Sequence, residues 1–328
     1  MKLNTCFLLL FAVFFGCSSD SNTADEENTP SDYKQQMRNF VIGISNSAKK
    51  ANPNFAVIPQ NGIELVTKNG EENGELAMDY LNAIDGNGQE DLFYGYDEDD
   101  KATPVTDSNY LQSFLDISKK QGKTILVTDY CSTPANMSNS VLLNSNKNYI
   151  SFAADHRELD NIPDFPLKIR NENAAVITEL RQAQNFLYLI NLEKYGSKSQ
   201  FITAVKATNY DVLIMDLFFN DGVTFSKAEI EQLKNKANGG KRMIVCYMSI
   251  GEAENYRYYW NPTWNSNAPI WLDSLNPDWP GNYKVKYWNA DWQAIIYGNS
   301  NSYLEKIIAA GFGGVYLDII DAFEFYEN

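Results

Sequence analysis

The feature that most constrains this chain is a repeated alternation of short apolar runs with helix-period patterns. Strand-like runs occur at residues 55–59, 124–128, 149–153, 186–190, 211–217, 243–250, 284–288 and 314–320. Between most of them apolar side chains recur three and four residues apart, as at Tyr110, Leu111, Phe114 and Leu115, or Ile230, Leu233 and Ala237. Runs of that length read as buried strands, and the intervening spacing gives each helix one apolar face. Eight strands alternating with helices over about 290 residues predict an α/β fold, a (β/α)8 TIM-type barrel. No second linker and no fixed-period repeat divides residues 32–328, so they are expected to form one domain.

Two departures from a plain barrel are expected. Met37, Phe40, Val41, Ile44 and Ala48 follow helical spacing from Tyr33 until Asn52-Pro53-Asn54 ends the run, which predicts an N-terminal helix over 33–50. Few residues follow the eighth run, so this helix is expected to take the place of the one that should come after it. Residues 61–105 read as a long acidic insertion after the first strand, with Asp97 to Asp100 in a row. Asp85, Asn87 and Gln89 imitate the start of a calcium loop there. Glu90 stands where that loop needs glycine, and Tyr96 where it needs glutamate, so a solvated loop is expected.

Lys2, the apolar run Phe7 to Phe15 and then Gly16-Cys17 resemble a bacterial lipoprotein signal. The run is too short to span a bilayer. Residues 1–16 are expected to be a signal peptide and Cys17 the lipidated N-terminus, with an ordinary signal peptide as the alternative. Residues 17–31, rich in Ser, Asn, Thr, Asp and Glu, are too polar to bury a core and read as a flexible tether. The expected location is the bacterial cell envelope, at the outer membrane or cell surface. Cys131 and Cys246 fall in or beside apolar runs and are expected to be buried thiols.

Composition narrows the chemistry. The formal charge is −15, from 42 Asp and Glu against 27 Lys and Arg, which argues against a partner recognised through phosphates, such as a nucleic acid. His156 is the one histidine, so most His-based metal sites are excluded and no metal or cofactor is expected. Chemistry should rest on carboxylates. In a (β/α)8 barrel the active site lies where the strands end. Those ends carry Gln60 and Asn61, then Asp129, Asp155, Asp216, the pair Glu252 and Glu254, and finally Asp318 and Asp321. A single such acid usually caps a helix. Acids at several independent ends suggest a site, and Asp216 inside Leu213-Ile214-Met215-Asp216-Leu217-Phe218 is costly to bury unless paired or used. Paired carboxylates without histidine suit glycoside hydrolysis, in which one acid protonates the leaving oxygen and the other attacks carbon or activates water.

All six tryptophans, Trp260 to Trp292, fall within 33 residues, with Tyr256, Tyr258, Tyr259, Tyr283 and Tyr287 among them. Most should be packing, with Tyr256 or Trp260 lining a cleft where sugar C–H groups stack on the ring. Gln60, Asn61, Asp129 and Tyr247 join them as candidate substrate-binding residues.

Ser249-Ile250-Gly251-Glu252-Ala253-Glu254-Asn255-Tyr256-Arg257, Met215-Asp216-Leu217-Phe218 and Gly313-Gly314-Val315-Tyr316-Leu317-Asp318 carry a family resemblance. So do Asn276-Pro277-Asp278-Trp279 and Val285-Lys286-Tyr287-Trp288. Together these segments resemble the endo-α-1,4-polygalactosaminidases of glycoside hydrolase family 114. The resemblance implies a monomeric barrel hydrolase acting inside a galactosamine-type polysaccharide. It implies Asp216 and Glu254 as catalytic acids, Asp318 as a further active-site acid and Arg257 as a positioning residue on the substrate. Glu252, two residues before Glu254, is the alternative acid. A glycan-binding lipoprotein without turnover and a glycosidase for another sugar are the rival readings.

Overall fold

The computed structural model describes Pro30 and residues 32–327, and Asp32–Asn328 form one compact unit. The predicted signal peptide, Cys17 and all of the tether but Pro30 lie outside the described residues. Among the described residues no helix is long and apolar enough to cross a membrane.

The fold opens with α1 (Tyr33–Ala51), whose first turn is capped by Asp32 accepting from the Gln35 amide at 2.8 Å. Its apolar stripe, Met37, Phe40, Val41, Ile44 and Ala48, is fully buried, worth roughly 1.5–3 kcal/mol for each large side chain. Next come β1 (Ala56–Pro59), α2 (Met78–Ala83), β2 (Gly86–Glu90), α3 (Val105–Lys120), β3 (Thr124–Tyr130), α4 (Pro134–Asn146) and β4 (Ile150–Ala154). They are followed by β5 (Phe186–Tyr188), α5 (Lys198–Lys206), β6 (Val212–Met215), α6 (Lys227–Leu233), β7 (Met243–Ser249) and β8 (Glu252–Glu254). The remainder is β9 (Leu272–Leu275), β10 (Asn282–Val285), α7 (Ala290–Ile296), α8 (Tyr303–Ala310), β11 (Gly314–Asp318) and α9 (Phe323–Glu327).

Five strands form a parallel sheet in the order β1-β11-β7-β6-β5, and β2-β3-β4 form a second parallel sheet. A parallel bridge between Gln60 and Gly88 joins the end of β1 to β2, with the Asn61 amide donating to the Gly88 carbonyl at 2.9 Å. The result is a mixed α/β fold whose eight parallel strands are compatible with a (β/α)8 barrel. A small antiparallel sheet, β8-β10-β9, lies outside the parallel sheets. α1 packs against α2, α8 and α9. It therefore stands between the helix that follows β1 and the helix that precedes β11, against the short α9 that follows β11.

Two expectations need correction. The run at 284–288 contributes β10, an antiparallel strand of the small sheet, and not a member of the parallel set. The eighth parallel strand is instead β2, which lies inside the segment read as a solvated acidic loop. Its sequence, Gly-Asn-Gly-Gln-Glu, has no apolar residue, yet its first four positions are buried. Its interior is filled from elsewhere: the Tyr316 ring of β11 covers Gly88, and the Ser118 hydroxyl of α3 donates to Asn87. A Cβ at Gly88 would sit 1.9 Å from the Tyr316 hydroxyl. Gly88→Ala should therefore lower the free energy of unfolding by about 1–3 kcal/mol, measured by urea denaturation. A loss confined to a few tenths would show that Tyr316 does not occupy that space.

Candidate active site

β6 ends in Met215, and the next residue, Asp216, turns its carboxylate toward Arg257. The Arg257 Nη1 lies 2.9 Å from Asp216 Oδ1 and 2.7 Å from Oδ2. The opposite side of the same guanidinium serves Glu254, with Nε 2.5 Å from Oε2 and Nη2 3.3 Å from Oε1. One arginine thus joins the acid after β6 to the acid that ends β8. Tyr256 donates to Glu254 Oε1 at 2.6 Å, and the Phe218 amide donates to Asp216 Oδ1 at 2.8 Å. Burial raises the Asp216 carboxyl above its ordinary range, and Arg257 opposes that rise. For Arg257 burial works against the charge, but Asp216 and Glu254 outweigh it and hold the guanidinium firmly protonated.

Glu252 has a different environment. It is fully buried and accepts from Asn276 at 2.8 Å, Lys284 at 2.7 Å and Asn282 at 3.1 Å. Those three partners belong to the small antiparallel sheet and its β9–β10 turn, so Glu252 fastens that sheet to the end of β7. Gly251 makes the turn before it, where a Cβ would meet the Ile319 carbonyl at 2.2 Å. Only glycine lets the β7–β8 turn come so close to the end of β11.

Asp318 ends β11. Its Oδ2 accepts from Tyr247 at 2.5 Å and its Oδ1 from Gln60 Nε2 at 3.0 Å. Burial pushes it up to about 6, with Tyr247 and the Ile319 amide pulling the other way and Glu254 and Glu252 adding repulsion. Asp216 likewise feels Glu254. Glu254 thus acts on both Asp216 and Asp318, and Glu252 on Asp318, at one end of the parallel strands. The chain takes left-handed backbone angles at Asn61 (φ 59°) and Ile319 (φ 57°), directly after Gln60 and Asp318. For a β-branched residue such as Ile319 that conformation costs on the order of 1–3 kcal/mol.

Other candidates separate clearly. Gln60, Tyr247, Tyr256 and Arg257 all hydrogen-bond to acids of this cluster, whereas Asn61 bonds to Glu90 at the end of β2. Asp129 does neither: its oxygens accept from the Phe93 and Tyr94 amides, the Ser140 hydroxyl and Asn144, pinning the loop after β2 to α4. Trp260 packs on Trp264 and Tyr283, with ring centroids 5.2 and 4.9 Å away. Together with Trp264, Trp271 and Trp292 it continues an aromatic core. Tyr256, 62% exposed, is the aromatic that borders the acids. Asp155 is bonded to Asn161, and His156 to Asp160 and Lys194 on the surface. Cys131 and Cys246 are free and buried. Among the described residues no group of three or more His, Cys, Asp or Glu is arranged to hold a metal ion.

The residue that sequence reasoning missed is Glu90, at the end of β2. Its Oε2 accepts from Gln60 Nε2 at 2.6 Å and Asn61 at 3.2 Å, and its Oε1 accepts from the Tyr130 hydroxyl. Burial, then repulsion from Asp318, pushes it up to about 7. Asp321 behaves similarly, raised to about 7 by burial and by Asp318. No apolar run precedes Glu90, so nothing in the sequence marked it as a strand end.

Residues 166–328 match the sequence model of glycoside-hydrolase family GH114. An uncharacterized protein of Methanocaldococcus jannaschii is 39% identical over 182 residues, 55% of this chain and 49% of the relative. Uncharacterized proteins of Deinococcus radiodurans and Thermotoga maritima are each 38% identical. They match over 42% and 38% of this chain, and over 42% and 36% of their own lengths. The chain thus spans half or less of each relative. Asp216, Glu252, Glu254, Arg257 and Asp318 all fall within the matched span, whereas Gln60 and Glu90 precede it. Through residues 166–328 the chain belongs to glycoside-hydrolase family GH114.

Proposed function

We propose that the protein is an exported, endo-acting glycoside hydrolase that cleaves a galactosamine-type polysaccharide with Asp216 and Glu254. The observation that carries this reading is the single guanidinium of Arg257 holding both carboxylates. It brings the two acids to one place without a histidine and fixes their orientation. Asp216, raised by burial, suits the proton donor to the departing glycosidic oxygen. Glu254, held as an acceptor by Arg257 and Tyr256, suits the carboxylate that attacks the anomeric carbon or activates water. Glu252 is a supporting residue in this reading, because its oxygens are occupied by Asn276, Asn282 and Lys284.

The parallel strands are proposed to close into a (β/α)8 barrel in the order β1 to β7 and then β11. The exposed Tyr256 ring would offer a stacking face for sugar. An excess of acids over the two cations Arg257 and Lys284 favours a cationic polymer such as partly deacetylated galactosamine. Residues 1–16 are proposed as signal peptide, 17–31 as tether and 32–328 as the hydrolase domain, working as a monomer held to the envelope through lipid on Cys17.

The purified protein should generate new reducing ends from partly deacetylated galactosamine polymer. Asp216→Asn and Glu254→Gln should each lower the rate by about 10²–10⁴-fold, and Glu252→Gln should lower it less while reducing stability. Binding without any reducing ends, unchanged in the Asp216 and Glu254 variants, would establish a glycan-binding protein instead. Cleavage of other polysaccharides in a panel, but not of this one, would reassign the sugar. For the anchor, cells expressing the full chain should incorporate labelled palmitate, and Cys17→Ser should abolish the label and release the protein. Absence of label in the parent chain would leave an ordinary signal peptide.

A further inference from the structure

Gln60 stands between two acids, Glu90 and Asp318, that form no ion pair among the described residues. Its side-chain nitrogen donates to Glu90 Oε2 at 2.6 Å and to Asp318 Oδ1 at 3.0 Å. Its side-chain oxygen accepts from Tyr188 at 2.9 Å, which fixes the amide with its two hydrogens toward the carboxyls. Tyr130 donates to the far oxygen of Glu90, and Tyr247 to the far oxygen of Asp318. Among the described residues neither acid forms an ion pair, in contrast to Asp216 and Glu254 with Arg257 and Glu252 with Lys284. Arg157 lies over the Tyr130 ring at 3.9 Å, but its hydrogen bonds go to Asp91, Asp99 and the Gly95 carbonyl. The other ionisable groups facing Glu90 add negative charge or are neutral: Asp91 beside it, Asp321 after β11, and the tyrosines Tyr188 and Tyr316.

Two buried carboxyls converging on one neutral amide cannot both be charged cheaply. We propose that Glu90 is a positioning residue of the active site: bridged by Gln60, it shares one proton with Asp318 and so orients Asp318 and sets the pH at which the pair loses its last proton. This rests on the reading of the site as hydrolytic, but Glu90 itself touches no reacting atom in it. Both acids sit well above the ordinary carboxylate range, at about 7 and about 6, as such sharing requires. The pair titrates as a unit, and changing one member moves the other.

The test has one readout that needs turnover and one that does not. Glu90→Gln removes the group that keeps the last proton of the pair, so the ionisation near pH 7 should disappear from the limb of the pH–activity profile, leaving the Asp318 step near 6. Stability gives the independent readout. Carboxyls raised in the folded state bind protons there more strongly than in the unfolded chain, so the contribution of this pair to stability is full below about pH 4 and is lost as pH rises toward about 7. Urea denaturation of the wild type should show that decline, and Glu90→Gln should flatten it. Tyr130→Phe, which removes a donor favouring ionised Glu90, should move the ionisation near pH 7 and the stability decline to higher pH. The proposal is overturned if Glu90→Gln leaves both the limb and the decline where they are. If the wild type shows no turnover, the hydrolytic reading fails and the stability decline alone decides whether Glu90 and Asp318 are coupled.

Discussion

The fork of Arg257 is the interaction on which the rest of the site depends. It is 8% exposed, and its charge is tolerated only because two carboxylates surround it. The dependence is mutual, since removing one member of a buried ion group leaves the others uncompensated, at a cost of about 3–5 kcal/mol. A lysine offers a single point charge and could not serve two carboxylates from opposite sides of a plane. Arg257 also connects layers of the fold, since Asp216 follows a parallel strand whereas Glu254 belongs to the small antiparallel sheet. That sheet is in turn held by Glu252 through Lys284, Asn276 and Asn282. The geometry of the proposed reaction is therefore set by the same contacts that dock the β8–β10–β9 sheet.

Beneath this pair the site has a second tier with a regular origin. Taken in the proposed barrel order, alternate strands β1, β3, β5 and β7 supply Gln60, Tyr130, Tyr188 and Tyr247, while the strands between them supply Glu90, Asp216 and Asp318. Layers built from alternate strands are what a closed eight-stranded sheet produces. Here the first layer donates hydrogen bonds to the second: Tyr130 to Glu90, Tyr247 to Asp318 and Gln60 to both. The interior is polar where apolar packing would be usual, and β2 can be made of Gly, Asn and Gln because Tyr316 fills the space over Gly88.

Legibility in the sequence followed the physical signal behind each element. α1 was readable because its buried stripe recurs at helical spacing, and the strands at Val212–Met215, Met243–Ser249 and Gly314–Asp318 because they are apolar on both faces. β2 was hidden because its burial depends on side chains contributed from β11 and α3. The Val285 segment looked like a strand of the main set because an apolar run carries no label for the sheet it joins. Asp216, Glu254 and Arg257 could be named from their motifs. Glu252 and Asp129 could not be sorted from them by residue type, since a saturated structural carboxylate and a working one have the same sequence signature. Asp211 makes the same point at the other end of β6. It is fully buried and held by Lys236 at 2.5 Å, by Asn173 and by the Gln184 amide, so it serves the scaffold. Asp216, five residues later, belongs to the site.

The distribution of cations explains why acids so alike in sequence can differ in behaviour. Asp211 and Glu252 each have a lysine and further donors, which ties them to the scaffold. Asp216 and Glu254 divide one arginine between them. Glu90 and Asp318 have only neutral donors, and burial then favours their protonated forms. Cationic support thus declines from the scaffold acids to the Arg257 pair to Glu90 and Asp318. A two-carboxylate mechanism without histidine needs one carboxyl protonated while its partner is ionised, and unequal support by cations is one way for a site to hold them apart.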